Sequence, residues 1–220
     1  MMPKKKTLRL ILGDQLNENH RWFKHPEEHV WYVLMEIRQE TDYVNHHIQK
    51  VVAFFAAMRA FAKRLTDRGH HIVYFRLDDP NNRQTVGGNI SNLLVQEGFD
   101  HFEYLLPDEY RLDSQLRELS ASLPATSTVL DTQHFLTERQ AVKTFFAGKK
   151  RFLMESFYRW MRKRHDILMD KGNPVGGKWN FDQKNRQAYN HEVPIPQALL
   201  FDNDVKDIFK IEVEDADEVF

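Results

Sequence analysis

The sequence predicts an α/β domain built on an open, mostly parallel five-stranded sheet with helices on both faces, followed by a helix and an irregular linker. Two observations predict it. Short runs of nearly continuous apolar, β-branched or aromatic character alternate along the chain with amphipathic segments of helical period. Strands covered on both faces have no polar side, and parallel neighbours need a crossover connection, which the helical segments supply. At 220 residues the chain is long enough to bury a proper core.

The strand candidates are Leu8 to Leu12, Val30 to Met35, Ile72 to Leu77, Phe102 to Leu105 and Thr128 to Leu130. Between the second and third, Val44, Ile48, Val51, Phe55, Met58, Ala62 and Leu65 recur at steps of four and three, and Gly69 supplies the stop. Leu112, Leu116, Leu119 and Leu123 mark another helix, and Thr137-Glu-Arg-Gln140 has the capping-box pattern that opens a further one. This organisation, Rossmann-like in kind, covers residues 1–150.

Residues 151–220 read differently. Leu153, Phe157 and Trp160 fall on one helical face, while Arg151, Arg159, Arg162, Lys163 and Arg164 populate the rest. A Gly/Pro-punctuated loop, Lys171 to Arg186, comes next, then Pro194 and Pro196, which exclude regular helix. The last nineteen residues are acidic and read as a linker toward a further domain.

Lys plus Arg total 31 against 32 for Asp plus Glu, so no global basic field draws the chain to nucleic acid. The overall balance hides a local asymmetry: there are seven basic residues against one acidic between Lys149 and Arg164, and eight acidic against two basic from Asp202 to Phe220. There is no cysteine, which removes disulfides, thiolate nucleophiles and cysteine-ligated clusters from these residues. No apolar run reaches the length of a membrane span and Lys4-Lys5-Lys6 leads no signal-peptide core, so a soluble cytoplasmic protein without membrane partners is expected.

The first strand runs into Gly13-Asp14-Gln15-Leu16, at the end where open α/β sheets bind ligands. Locally, a ligand site and a plain turn with Asp14 capping the next helix are equally good readings. Glu36, Glu40, Tyr43, His46 and His47 crowd the passage from the second strand into the long helix. Adjacent histidines on a helix point about 100° apart, so His46 and His47 are poor joint ligands and no metal site is assigned. Gly172-Asn-Pro-Val-Gly-Gly177-Lys178 has phosphate-loop spacing, but Trp179 stands where Ser or Thr must hold magnesium, and an NTPase is rejected. The basic helix before it is either a phosphate-contacting surface, with Trp160, Trp179 and Phe181 for stacking, or an ordinary solvated face.

Together, Leu10-Ile-Leu-Gly-Asp-Gln-Leu16, Glu36-x3-Glu40-x2-Tyr43-Val-x-His46-His47, Phe54-Phe-Ala-Ala-Met58-Arg, Met154-Glu-Ser-Phe-Tyr-Arg159 and Pro174-Val-Gly-Gly-Lys-Trp-Asn-Phe-Asp182-x2-Asn185-Arg186 resemble the amino-terminal part of the deoxyribodipyrimidine photolyase-related proteins. These are the iron–sulfur bacterial cryptochromes and photolyases. The resemblance implies an antenna domain accommodating a lumazine-type chromophore, 6,7-dimethyl-8-ribityllumazine, at Gly13, Asp14, Gln15, Glu36, Glu40, Tyr43 and Phe54. It further implies Arg159, Arg162, Trp179, Asp182 and Arg186 on the DNA or interdomain side. Family members hold FAD and a four-cysteine iron–sulfur cluster in a helical half, so this chain alone is expected to be inactive, with its own helical FAD domain and damaged DNA as partners of the full-length protein. Two other readings stand beside light-driven repair: a cryptochrome-like blue-light photoreceptor, and a small-molecule α/β enzyme of the nucleotide-binding type. The second lacks the Gly-rich loop such enzymes need.

Overall fold

The computed structural model describes residues 5–182, 188 and 194–199. Of these, 5–136 form one compact unit and the remainder belong to a second. In the first, strands β1 (Thr7–Leu10), β2 (Val30–Met35), β3 (His71–Phe75), β4 (His101–Leu105) and β5 (Thr126–Leu130) form a sheet in the order β3-β2-β1-β4-β5. Every pairing is parallel. The expected Rossmann-like sheet is therefore present, with strand ends shifted by one or two residues.

The alternation along β2 shows why its apolar run is continuous. Tyr32 and Leu34 belong to one core layer, Val33 and Met35 to the other. The first layer is closed by α2 (Ile48–Asp67), which buries Val51, Phe55, Met58, Phe61, Ala62 and Leu65. Trp22 and Phe23 extend it from a short 3-10 turn in the loop after β1. The opposite layer is closed by α3 (Val86–Glu97) and α4 (Tyr110–Ser122), through Ile90, Leu93, Leu94 and Leu116. Full burial of a Leu, Ile or Phe side chain stabilises by about 1.5–3 kcal/mol, so the two layers are the main source of this unit's stability.

Three boundaries differ from expectation. The apolar period suggests helix from Val44, but α1 (Arg38–Thr41) is a single turn, residues 42–45 form a turn, and α2 begins only after His47, whose side chain accepts a hydrogen bond from the Gln49 N–H. Helix α3 went unassigned because Gly87-Gly88 weakens the helical signal at its start. Thr85 caps it by accepting from the Gly88 N–H, and Gly98 ends it at φ +65. Thr137 to Gln140 do not form a capping box: α5 is Ala141–Phe146, and Gln140 makes no side-chain cap.

The second unit begins at Thr137 rather than near residue 150, because α5 packs with α6 (Met154–Arg164) through an aromatic cluster of Phe145, Phe146, Phe157 and Trp160. After α6, β6 (Met169–Asp170) and β7 (Asn173–Pro174) pair antiparallel around Lys171 and Gly172, both at positive φ. That is the turn chemistry of a two-residue hairpin, found where the sequence indicated only irregular loop. Among the described residues no helix is long and apolar enough to cross a membrane.

Candidate functional site

In this strand order β1 lies between β2, which follows it directly, and β4, which the chain reaches only after β3. Ligands of open α/β sheets bind at the carboxyl edge where the order reverses in this way. A cavity of about 260 Å³ lies there. Leu12, Gly13 and Asp14 line it from the end of β1, Glu40 and Tyr43 from the passage after β2, and Lys50, Phe54 and Met58 from α2. The start of α4 contributes Glu109, Arg111 and Leu112. A Cβ on Gly13 would stand 3.1 Å from Met58 Sδ and 3.4 Å from Phe54 Cδ1, so this loop packs closely on α2 and a larger residue would make the Met58 side chain shift by a few tenths of an ångström.

Charged groups ring an apolar interior. Arg111 donates to both oxygens of Glu40, at 3.1 and 2.8 Å, and its guanidinium lies 4.4 Å from the centre of the Tyr43 ring. Glu109 approaches the same guanidinium at 3.3 Å, while Arg111 Nε is buried without a partner among the described residues. Lys50 Nζ is 3.0 Å from His46 Nδ1. The Asp14 carboxyl is raised above its ordinary pKa, first by desolvation and then by Asp108 and Glu40, with His134 acting against the shift. Such a site can stack a planar ring and offer both acceptors and donors to polar substituents.

In the second unit Trp179 is approached by Arg159, Arg162 and Lys163, at 5.4, 5.2 and 5.6 Å from the ring centre. Arg162 is only 6% exposed. It donates to the carbonyls of Ile167 and Leu168 and to the Tyr158 hydroxyl. Arg159 is exposed and pairs with Glu155 at 2.9 Å. The Asp182 N–H donates to Asn180 Oδ1, and the Asp182 side chain is exposed.

The family model of the deoxyribodipyrimidine photo-lyase-related protein matches residues 9–217. The chain belongs to this family. It is 32% identical over 193 residues to a (6-4) photolyase of Agrobacterium fabrum, covering 87% of this chain and 38% of that protein. It is 27% identical over 196 residues to the uncharacterized protein R852 of Acanthamoeba polyphaga mimivirus, covering 86% of this chain and 97% of that one.

For this photolyase-related chain, the residues named from sequence divide cleanly. Gly13, Asp14, Glu40, Tyr43 and Phe54 meet at this cavity. Gln15 and Glu36 do not line it. Gln15 is 3% exposed, accepts from the Leu12 N–H and donates to the Leu105 carbonyl, tying the β1 loop to the end of β4. Glu36 is fully buried and accepts from Arg59 at 2.6 and 2.7 Å, from the Tyr74 hydroxyl at 2.6 Å and from the Leu77 N–H at 3.1 Å. Its role is structural, because every lone-pair direction is already taken. Arg162 is likewise engaged inside its own unit and is withdrawn from the expected phosphate contacts. Arg186 lies outside the described residues. Arg111, Glu109 and Lys50 were missed; the strand-end rule applied to β4 as well as β1 points to residues 106–111 and is the signal that could have found two of them.

Proposed function

We propose that residues 5–136 are the antenna-chromophore-binding domain of a light-driven DNA-repair protein of the photolyase-related family, and that the cavity takes a lumazine-type chromophore, 6,7-dimethyl-8-ribityllumazine. The observation that carries this reading is the aromatic-walled, polar-rimmed cavity at the reversal point of the sheet. Its contents suit a small heterobicycle bearing a polyol: Tyr43 and Phe54 offer ring surfaces, Asp14 and Glu40 accept from ring N–H or ribityl hydroxyls, and Arg111 donates. When bound, such a group supplies light absorption and energy transfer toward a flavin. The chain's own part is to bind it, hold its orientation and exclude water from its rings. A four-cysteine cluster would need thiolates that this chain does not carry, and the family resemblance assigns both it and FAD to a helical half.

Titration of the purified chain with 6,7-dimethyl-8-ribityllumazine, read by its fluorescence, tests this. Saturable one-to-one binding is expected, weakened about ten- to hundredfold by Glu40→Ala through loss of a charge-assisted hydrogen bond. Absence of saturable binding, or equal affinities for wild type and Glu40→Ala, overturns the assignment.

Contact with damaged DNA is proposed for the full-length protein, with Arg159, Trp179 and Asp182 on the DNA or interdomain side. Arg159 and Lys163 offer only sequence-blind phosphate contacts, so this chain by itself should bind DNA weakly, without lesion preference and with steep salt dependence.

A further inference from the structure

Three helix N-termini converge on the cavity. Lys50 belongs to the first turn of α2, Val86 opens α3, and Glu109 precedes α4, and all three residues line the same space. In open α/β sheets this is where a phosphate is expected, because the first N–H groups of a helix are unsatisfied and carry partial positive charge. Here each terminus already has a side-chain acceptor from its own chain. His47 Nδ1 accepts from the Gln49 N–H at 3.2 Å. Thr85 Oγ1 accepts from the Gly88 N–H at 3.1 Å, and Gln39 Oε1 from the Val86 N–H at 3.0 Å. At α4 the acceptor is itself an anion: Glu109 takes the N–H groups of Arg111 and Leu112 at 3.0 and 3.3 Å.

The charges around the cavity point the same way. Asp14, Glu40 and Glu109 are three carboxylates against two cations, Arg111 and Lys50. Arg111 is held by two of those carboxylates at once. Burial is the chief reason the Asp14 carboxyl is raised, and the nearby carboxylates of Asp108 and Glu40 add to it in the same direction.

We infer that this cavity selects a phosphate-free ligand, and that Glu109 is the specificity residue that keeps phosphate out. The inference rests on the antenna reading and deepens it by naming the residue that sets specificity at that site, against a nucleotide or a phosphorylated flavin. Glu109 acts twice, occupying the donors a phosphate would need and placing a negative charge where the phosphate would sit.

The test compares 6,7-dimethyl-8-ribityllumazine with its 5′-phosphate. For wild type the phosphate ester should bind at least about tenfold more weakly, as expected for one like-charge contact near a protein surface. Raising the salt should narrow the gap. Glu109→Gln removes the charge and Glu109→Ser preserves a small neutral cap; both should bring the two ligands within about threefold, mainly by improving the ester. Equal affinities in wild type, or a gap unchanged in both variants, overturns the inference while leaving the antenna reading intact.

A second arm needs no lumazine. Inorganic phosphate is titrated while the backbone amide resonances of Arg111 and Leu112 are followed. No saturable shift is expected in wild type and a saturable one in Glu109→Ser. If lumazine fails to bind but this pattern holds, the antenna reading falls and the exclusion of phosphate stands. If wild type binds phosphate at these amides, the inference falls whatever lumazine does.

Discussion

Glu36 and Glu40 stand four residues apart at the carboxyl edge of the sheet, and the regions around them obey different physics. Glu36 is fully buried, with a two-pronged pair to Arg59 and two further donors, Tyr74 and the Leu77 N–H. The side chain of Glu40 is one-third exposed and faces a cavity across from Arg111. A carboxylate out of water must be completely satisfied or it is severely destabilising, whereas one at a rim keeps solvent as an alternative partner. The Glu36 network, the floor of this end of the sheet, is therefore fully committed to protein partners, whereas Glu40 at the rim of the cavity keeps access to solvent.

The largest expected effect breaks the floor. Glu36→Ala leaves Arg59 charged and largely buried and the Tyr74 hydroxyl without its acceptor, and should lower stability by about 3–5 kcal/mol in urea denaturation. Burial, followed by the neighbouring Glu36 charge, already pushes the Tyr74 hydroxyl well above its ordinary range, so Tyr74 stays a donor at all working pH values. A loss no larger than that of Glu40→Ala would erase the distinction drawn here.

Acid should weaken the same unit next. His20 is 2% exposed, accepts from the Trp22 N–H through Nδ1, and has its pKa lowered to about 4 by burial, then by Arg21 and Arg9. The folded value lies below the unfolded one, so the unfolded chain binds more protons between them. Stability is full above about pH 6.5, falls as pH drops toward 4, and loses about 3 kcal/mol in all from this group. His70, also lowered chiefly by burial, acts in the same direction. Measured from pH 7 to 4, His20→Asn should show a clearly shallower slope; a slope equal to wild type would mean that His20 is not the titrating group.

Arg162 extends the comparison to the second unit. Arg162→Ala leaves the Ile167 and Leu168 carbonyls without their charged donor and should cost that unit about 1–3 kcal/mol, read as loss of protection in hydrogen exchange across residues 154–170. Protection unchanged there would return Arg162 to the list of free surface cations. The smallest effect belongs to the rim: Glu40→Ala should change stability by less than about 1 kcal/mol, the usual range for partly exposed pairs. A larger loss in urea would make Glu40 part of the floor.

Much of the fold was legible in the sequence. Five strands, the long helix after β2 and its stop at Gly69 follow from periodicity and turn chemistry, which act over a few residues. Five of the seven residues assigned to the site meet at one cavity, because the carboxyl ends of parallel strands necessarily gather at one edge. The rest was hidden for identifiable reasons. Gly87-Gly88 masked α3, and Thr137-Glu-Arg-Gln140 matched a capping pattern without the geometry to use it.

By itself, then, the sequence determined the five strands and their order along the chain, the long helix after β2, the two-faced burial of the sheet and the family. Only the tertiary structure decided which charges are available at the cavity. Whether Glu36 is sealed and Glu40 open depends on Arg59 and Tyr74 in one case and on Arg111 in the other, partners brought in by separate helices and strands. Whether Arg162 is a surface cation or an internal donor depends on the path of the loop after α6. Local pattern sets backbone conformation through short-range sterics and hydrogen bonding, but solvent access and ionic partners are properties of the packed whole, and they govern what a charged side chain can do.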